Sequence, residues 1–443
     1  MNKDIFMDLL QAKEYKAVRS ILNVMNAVDI ASLLSEMEDK ELFLAFRLIP
    51  KEKAADVFAE MDSTMQAYLV EMFTEKELRE ILDDLYMDDT VDMLEEFPAN
   101  LVTRILENVS KEKRDKINVI LNYPEDSAGS IMTTEYVDLR RNTTVAAAMN
   151  HIKRIGIHKE TIYTCYILEN RKLVGIVSAK DLMTMDDNMT MDELMETEII
   201  SVHTHTDKEE VARLFSKYAL LALPVLDDDE RMVGIVTVDD AMDVMVDEAT
   251  EDITKMAAMN PSEKPYFDTS VWQHAKNRIP WLLFLMLSAT ITGSIITRYQ
   301  DAFSALPLLV SFIPMLMDTG GNCGSQSSTL IIRGIALDEV HFSDIFRVMF
   351  KEFRISIIVG AFLALANIIR IYLVYDHNLL MSMSVGLSLL ATIVIAKLIG
   401  CILPLLAKQV HLDPAIMASP LITTLVDTCS IIIYFNIATR LLL

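Results

Sequence analysis

The run PLITTLVDTCSIIIYF, residues 420 to 435, holds a single charge, Asp427, with more than ten uncharged positions on either side. An apolar run of this kind crosses the hydrocarbon core of a bilayer, where a carboxylate costs several kcal/mol unless it faces water, a cation or a partner. An ion pathway is therefore the functional reading of Asp427, and a structural carboxylate paired with Lys397 is the alternative. A second run, DTGGNCGSQSST from Asp318 to Thr329, collects three glycines with small hydroxyl and amide side chains. Irregular or closely packed backbone at membrane depth is tolerated where protein covers it or where it lines a wet cavity. A small-residue seam between helices is the other use of such a run. Asp318, Asn322 and Gln326 are hard oxygen donors, and without clustered His or Cys beside them they favour Mg²⁺ or Ca²⁺ over softer metals.

These runs belong to a long apolar region. No charge occurs from Pro280 to Thr297, and four further apolar segments cover approximately 302 to 332, 355 to 375, 379 to 406 and 414 to 439. Only Asp318, Arg370, Lys397 and Asp427 are charged inside those four. The expectation is a helical membrane domain over 271–443 with five crossings, which puts the chain ends on opposite sides. Lys276, Arg278, Arg333, Arg347, Lys351, Arg354 and Lys408 gather near one set of segment ends, against Arg298 and Arg440 at the other. Basic residues mark the cytoplasmic side, so the N-terminal region is expected in the cytoplasm and Leu443 outside.

The 443 residues carry 40 Lys/Arg and 64 Asp/Glu, a formal charge of −24, with a mean hydropathy of +0.29. Residues 271 to 443 hold 11 basic and 9 acidic residues, leaving 29 against 55 in residues 1 to 270. A soluble half this acidic excludes phosphate-backbone recognition and hence a nucleic-acid partner. The four cysteines, Cys165, Cys323, Cys401 and Cys429, are far apart and indicate neither a disulfide framework nor a zinc site. The opening MNKDIFMDLLQAKEY has no uninterrupted apolar core of signal-peptide type.

Residues 1 to 124 contain no β-rich run. Short amphipathic stretches such as AADVFAEM, LREILDDL and LVTRILENV, parted by charged or proline breaks, predict an all-α superhelical domain of stacked short helices. After YPEDSAGS, residues 132 to 183 and 195 to 245 are two copies of one strand, helix, strand, strand, helix unit. IMTTEYVDLRRNTTVAAAMNHI is echoed by LMETEIISVHTHTDKEEVARLF, and KLVGIVSAKDLM by RMVGIVTVDDAM. The boundaries expected are 125–185 and 186–246. A helical segment with its linker follows over 247–270, broken by Pro261 and Pro265. Its pattern starts at Asp240 and repeats acidic residues at Asp243, Asp247, Glu248, Glu251 and Asp252. Like charges at three- and four-residue steps destabilise a helix, and a divalent cation held against them removes that penalty; a solvated face is the plainer reading. His203 and His205 share one strand face, where surface histidines outweigh a two-His metal site.

The paired units resemble tandem cystathionine-β-synthase-like (CBS) domains of α+β fold. Ser178 with Asp181, and Thr237 with Asp240, match the [ST]-x-x-D ending that such domains often turn toward the ribose and phosphate of an adenine nucleotide, ATP here. Taken with MDDTVDMLEEF, VGIVTVDD, DEATEDI, RIPWLL, FIPMLMDTGGNCGSQSSTLIIRGIA and DPAIMASPLITTLVDTCSIIIYF in that order, the whole chain resembles the MgtE family of magnesium channels. The resemblance implies a multi-pass protein of the plasma membrane that acts as a homodimer in the lipid bilayer, with a Mg²⁺ pore on the dimer axis. Asp427 then lines the pore, with Thr423 one turn before it and Asn322 and Asp318 nearby. It also implies that cytoplasmic Mg²⁺ closes the gate by bridging carboxylates. Those at the matching positions are Asp88 and Asp92 in the helical domain, Asp207, Glu209, Asp240 and Asp243 in the second CBS unit, and Glu248, Glu251 and Asp252 on the connecting helix. Three positions depart from the family pattern: Ala219 for a sensor carboxylate, Gln300 for a glutamate, and Lys397 where a neutral polar residue is usual. The competing reading is an adenine-nucleotide-regulated secondary transporter of another divalent cation or solute. No triad, zincin or P-loop spacing supports an enzyme.

Overall fold

Short amphipathic stretches produce short helices, and the first 120 residues are built from them. The computed structural model describes residues 3–262, 266–267, 269–299, 307–375, 378–417 and 419–442. Among these, ten helices of 8 to 10 residues run from α1 (Lys3–Gln11) to α10 (Lys111–Ile120). The side chains of Asn26, Asp62, Thr74 and Ser110 accept from backbone N–H groups at four of their N-termini. Helices this short are marginal alone, so their stability comes from packing. Phe43, Phe46, Phe58 and Phe73 form one aromatic cluster with centroids 5.4 to 6.3 Å apart. A second device recurs across the stack: a long basic side chain caps the carbonyl end of a helix about thirty residues earlier. Lys53 donates to the carbonyls of Asn23 and Met25, Arg104 to those of Glu71 and Phe73, and Lys113 to those of Leu82 and Leu85. Each places a cation at the negative end of a helix dipole.

The two repeats fold alike. In the first, β1 (Val137–Leu139), α11 (Val145–Ile155), β2 (Thr164–Glu169), β3 (Lys172–Ser178) and α12 (Ala179–Thr184) follow in order, and the sheet order is β1-β2-β3, with the first pair parallel and the second antiparallel. The single turn α13 (Met191–Leu194) leads to the second, made of β4 (Val202–His203), α14 (Lys208–Tyr218), β5 (Ala222–Leu226), β6 (Met232–Thr237) and α15 (Val238–Met256). The glycines of the two GIV strands explain why both copies keep them. A Cβ on Gly175 would lie 2.4 Å from the Met195 sulfur, and one on Gly234 2.8 Å from the Met132 sulfur. Met195 opens the second copy and Met132 the first, so each copy seats its opening methionine on the glycine of the other.

The chain divides into two compact units, Met1–Val246 and Asp247–Leu443. In the second, long helices follow: α16 (Val271–Arg298), α17 (Ile313–Ala336), α18 (Ile345–Val374), α19 (Leu379–Gln409) and α20 (Ser419–Leu442). Among the described residues four spans, Val271–Arg298, Phe342–Val374, Leu379–Gln409 and Pro414–Leu442, are long and apolar enough to cross a bilayer. The expected second crossing is different. Its 24 residues are long enough, at about 36 Å for a 1.5 Å rise per residue, but small polar groups keep α17 below that apolarity. Nor is its backbone irregular at DTGGNCGSQSST, which is continuous helix.

Glycine makes the close packing of α17 possible. A Cβ on Gly400 of α19 would sit 2.2 Å from the Gly324 carbonyl oxygen, and one on Gly324 would lie 2.7 Å from Ile422 of α20. The small-residue seam is thus real and occupies one face of α17. Gly400→Ala is expected to destabilise the purified protein by about 1–3 kcal/mol, the usual cost of overpacking a tight core. Gly293→Ala, where a Cβ meets nothing within 4 Å, should be neutral or stabilising by about 0.5–1 kcal/mol. Thermal unfolding of the two variants in detergent checks the contrast.

Candidate functional site

The helix α8 (Met87–Glu96) carries MDDTVDMLEE, and its carboxylates meet those of other elements in the first compact unit. Asp88 is only 7% exposed; burial, with Asp240 and Glu160 nearby, holds its carboxyl well above the ordinary range. Desolvation and Glu60 push Asp89 up to about 6. Desolvation and Asp240 push Asp92 up to about 7, although the residue keeps an exposed surface. Asp240, at the start of α15, is pushed up to about 7 by burial, offset in part by the hydroxyl of Thr237, which donates to it at 2.7 Å. Glu160, in the loop before β2, reaches about 8 through burial and its neighbours Asp89, Asp239 and Asp240. Its Oε2 is buried without a hydrogen-bond partner. Met87, Val91, Met93 and Leu94 of α8 and Ala241 of α15 are buried in one hydrophobic core, so the carboxylates on these helices are held together against their mutual repulsion. Among the described residues no three His, Cys, Asp or Glu side chains converge closely enough to form a direct ligand shell. The arrangement suits a hydrated divalent ion, which reaches carboxylates through its waters.

Asp88, Asp92 and Asp240 therefore come together, and Asp243 lies within electrostatic range of Glu60. Asp89, Glu160 and Glu60 were not foreseen. The doublet in MDDT was a legible signal for Asp89, but Glu160 stands alone in a loop. Asp207 caps α14 by accepting from the N–H of Glu209 at 2.9 Å, and Glu209 lies 4.0 Å from Arg213. In the second unit, Glu248, Glu251 and Asp252 lie on the last turns of α15. There Lys255 is held between Glu251 at 2.6 Å and Asp413 at 2.7 Å, and Met256 packs against Ile332 and Ala415. His203 and His205 do not converge: the first lies 3.9 Å from Glu230 and the second against the Tyr123 ring. Ala219 ends α14 in a left-handed conformation, and Gln300 lies outside the described residues.

In the membrane helices, Gly320, Gly321, Gly324, Ser327 and Ser328 bury one face of α17, while Asp318, Asn322, Gln326 and Thr329 are exposed along another. Gly321 approaches Thr423 so closely that a Cβ would lie 2.9 Å from its methyl group. One turn further on, Asp427 has a buried Oδ1 without a hydrogen-bond partner, and Asp318 lies within its electrostatic range. The alternative pairing of Asp427 with Lys397 is overturned. Lys397 faces Glu352 instead, at 3.9 Å, because α19 turns it toward α18.

Family models match most of the chain: a divalent cation transporter family over residues 313–437, an MgtE intracellular N domain over 25–126, and CBS domains over 128–187 and 191–247. The magnesium transporter MgtE of Thermus thermophilus is 35% identical over 441 residues, covering 98% of this chain and 97% of that protein. The chain belongs to the MgtE family. The MgtE magnesium transporter of Bacillus subtilis is 34% identical over 97% of this chain and 95% of its own length. Among solved structures, the cytosolic domain of the Mg²⁺ channel MgtE in complex with ATP is 34% identical, with a TM-score of 0.52 over 55% of this chain and all of that one. The soluble part of a magnesium transporter is 29% identical, with a TM-score of 0.53 over 56% of this chain and 98% of that one. MgtE is a transporter family, not an enzyme family, which agrees with the lack of catalytic spacing.

Carboxylates whose pKa is higher folded than unfolded bind protons that the unfolded chain has released. Stability therefore falls as pH rises from the ordinary carboxylate range, near 4, through about 8. In chelator, amide exchange from α8, corrected for intrinsic rate, should slow as pH is lowered from about 8 to about 5 across that window. Saturating Mg²⁺ should flatten the profile; the same slope with and without Mg²⁺ would count against cation binding at these carboxylates.

Proposed function

We propose that this chain moves Mg²⁺ across the plasma membrane and that Mg²⁺ at its acidic cytoplasmic unit closes the path. The observation that carries the transport reading is the polar face of α17. Asp318, Asn322, Gln326 and Thr329 recur at three- and four-residue steps and are exposed, while the opposite face is sealed by glycine against α19 and α20. Such a face is too polar for lipid. It fits a wet path completed by a second copy of the chain, which makes the pore a property of the homodimer. Asp427 and Thr423 stand beside it on α20. Mg²⁺ sheds water reluctantly, so these groups serve best through bound water, which lets the ion enter and leave. The basic loop ends Arg333, Arg347, Lys351 and Lys408 support a cytoplasmic N-terminal unit and an external C-terminus.

Gating follows from the crowded carboxylates. Without cations their repulsion loosens the packing of α8 against the CBS pair; with Mg²⁺ the charge is neutralised and the unit tightens. The two CBS copies support different ligands. In the first, Tyr163 is 66% exposed beside the motif, its carbonyl accepting from the N–H of Ala179, and Ser178 accepts from the N–H of Asp181. An exposed ring, a hydroxyl and a carboxylate fit the base, phosphate and ribose of ATP. In the second, Leu221 holds the place of Tyr163 and Asp240 belongs to the acidic cluster, which favours cations over nucleotide.

Proteoliposome flux tests the main reading. Wild type is expected to carry Mg²⁺ at low cytoplasmic Mg²⁺ and to shut at millimolar levels. Asp427→Ala should lose most of the flux or its selectivity, and Asp240→Ala with Glu251→Ala should keep conducting at millimolar Mg²⁺. A wild type that carries no Mg²⁺ at either level defeats the proposal. Separately, Tyr163→Ala should weaken ATP binding by the about 1–3 kcal/mol of a base stacked on an aromatic ring; isothermal titration of the two proteins reads it.

A further inference from the structure

Glu352 of α18 and Lys397 of α19 are both more than nine-tenths buried, at 7% and 5% exposure. The Lys397 ammonium lies 3.9 Å from Glu352 Oε2 and donates to the hydroxyl of Ser327 at 3.2 Å, and that hydroxyl donates to the same Oε2 at 2.7 Å. The three side chains, from three helices, form one small charged knot. Glu352 and Lys397 also line an open recess of about 840 Å³ whose wall includes Asn322, Ser325, Gln326 and Thr329 of α17. Glu352 is the one carboxylate among the residues lining it.

A carboxylate there without the ammonium would be a buried, uncompensated charge, which is strongly unfavourable. It would recruit whatever cation the recess admits. A divalent ion held by Glu352 with the Ser327 hydroxyl and the amide oxygens of Asn322 or Gln326 would have the hard oxygen surroundings that Mg²⁺ prefers. A resident ion also obstructs, because conduction needs binding weak enough for release. Lysine supplies a compact charge on a covalent stem, which occupies the carboxylate permanently and never leaves.

We propose that Lys397 is a tethered substitute for a divalent cation, which keeps Glu352 from capturing the permeant ion, and that the recess becomes a Mg²⁺ site once the ammonium is removed. This rests on the Mg²⁺ transport proposed above for the identity of the ion. A pair that served packing alone would lose stability equally when either partner was neutralised, and neither variant would gain affinity for Mg²⁺.

The test compares the full-length protein with Lys397→Met, Lys397→Gln and the charge-free double variant Glu352→Gln with Lys397→Met. Melting midpoints with and without MgCl₂ and Mg²⁺ flux in proteoliposomes are measured for each. Lys397→Met should show a larger Mg²⁺-dependent rise in midpoint than wild type and lose most of the flux. The double variant should return both readings toward wild type. Lys397→Gln keeps a donor to Ser327 and removes only the charge, so it gives the same answer if the methionine variant does not fold. Wild-type flux and a wild-type Mg²⁺ shift in the lysine variants overturn the inference while leaving the transport reading intact. Absence of Mg²⁺ flux in wild type is the separate failure of that reading, and the melting arm still reports whether the recess binds Mg²⁺.

Discussion

Carboxylates that are desolvated before they are neutralised dominate the soluble unit. Asp88 and Asp92 on α8, Asp240 on α15 and Glu160 in the loop before β2 are presented by three separate elements, and both helices are anchored in one packed core, so the carboxylates cannot withdraw from one another without disturbing a packed face. Repulsion inside a low-dielectric space is strong and decays slowly. The rest of the unit resists it through packing: the short helices stack along one continuous hydrophobic cluster, which the second copy of the repeat pair joins. The gating proposed above rests on such a fold having two states, set by what neutralises the charge.

The membrane unit meets the opposite constraint. There the polar groups are few, and each needs a partner or water. The solution is a division of labour around α17. Glycine and serine give one face to neighbouring helices, and Asp318, Asn322, Gln326 and Thr329 lie exposed on the other, the side of the proposed path. The small residues that weaken α17 as an apolar span let it pack closely against α19 and α20, while α18 packs chiefly on α19. Lys255, clasped by Glu251 and Asp413, ties the end of α15 to the loop before α20 within this unit.

Much of this was legible in the residues because it depends on local pattern. Periodicity marked the short helices, self-similarity marked the CBS pair, and an isolated carboxylate in an apolar run marked Asp427. What depends on which helices are neighbours was not legible. Glu352 as the partner of Lys397, Glu160 as a member of the acidic cluster, and the two-faced character of α17 all arise from packing between elements distant in sequence. The run DTGGNCGSQSST admits two readings: the small-residue seam describes its buried side, and the wet-cavity reading is carried only as the proposal for its exposed side, on a regular helix rather than an irregular backbone.

The exchange between the CBS copies reaches beyond the folded state. Met191, Leu194 and Met195 complete the core of the first copy, while Ala128 and Met132 sit in the cluster that includes the second. Neither copy closes its own interior. On the ribosome, the first copy therefore stays an open template until Met195 has left the exit tunnel, and Met132 waits longer still, for Gly234. Both interiors can be complete only once the chain has been made past Gly234, shortly before the first membrane helix begins at Val271.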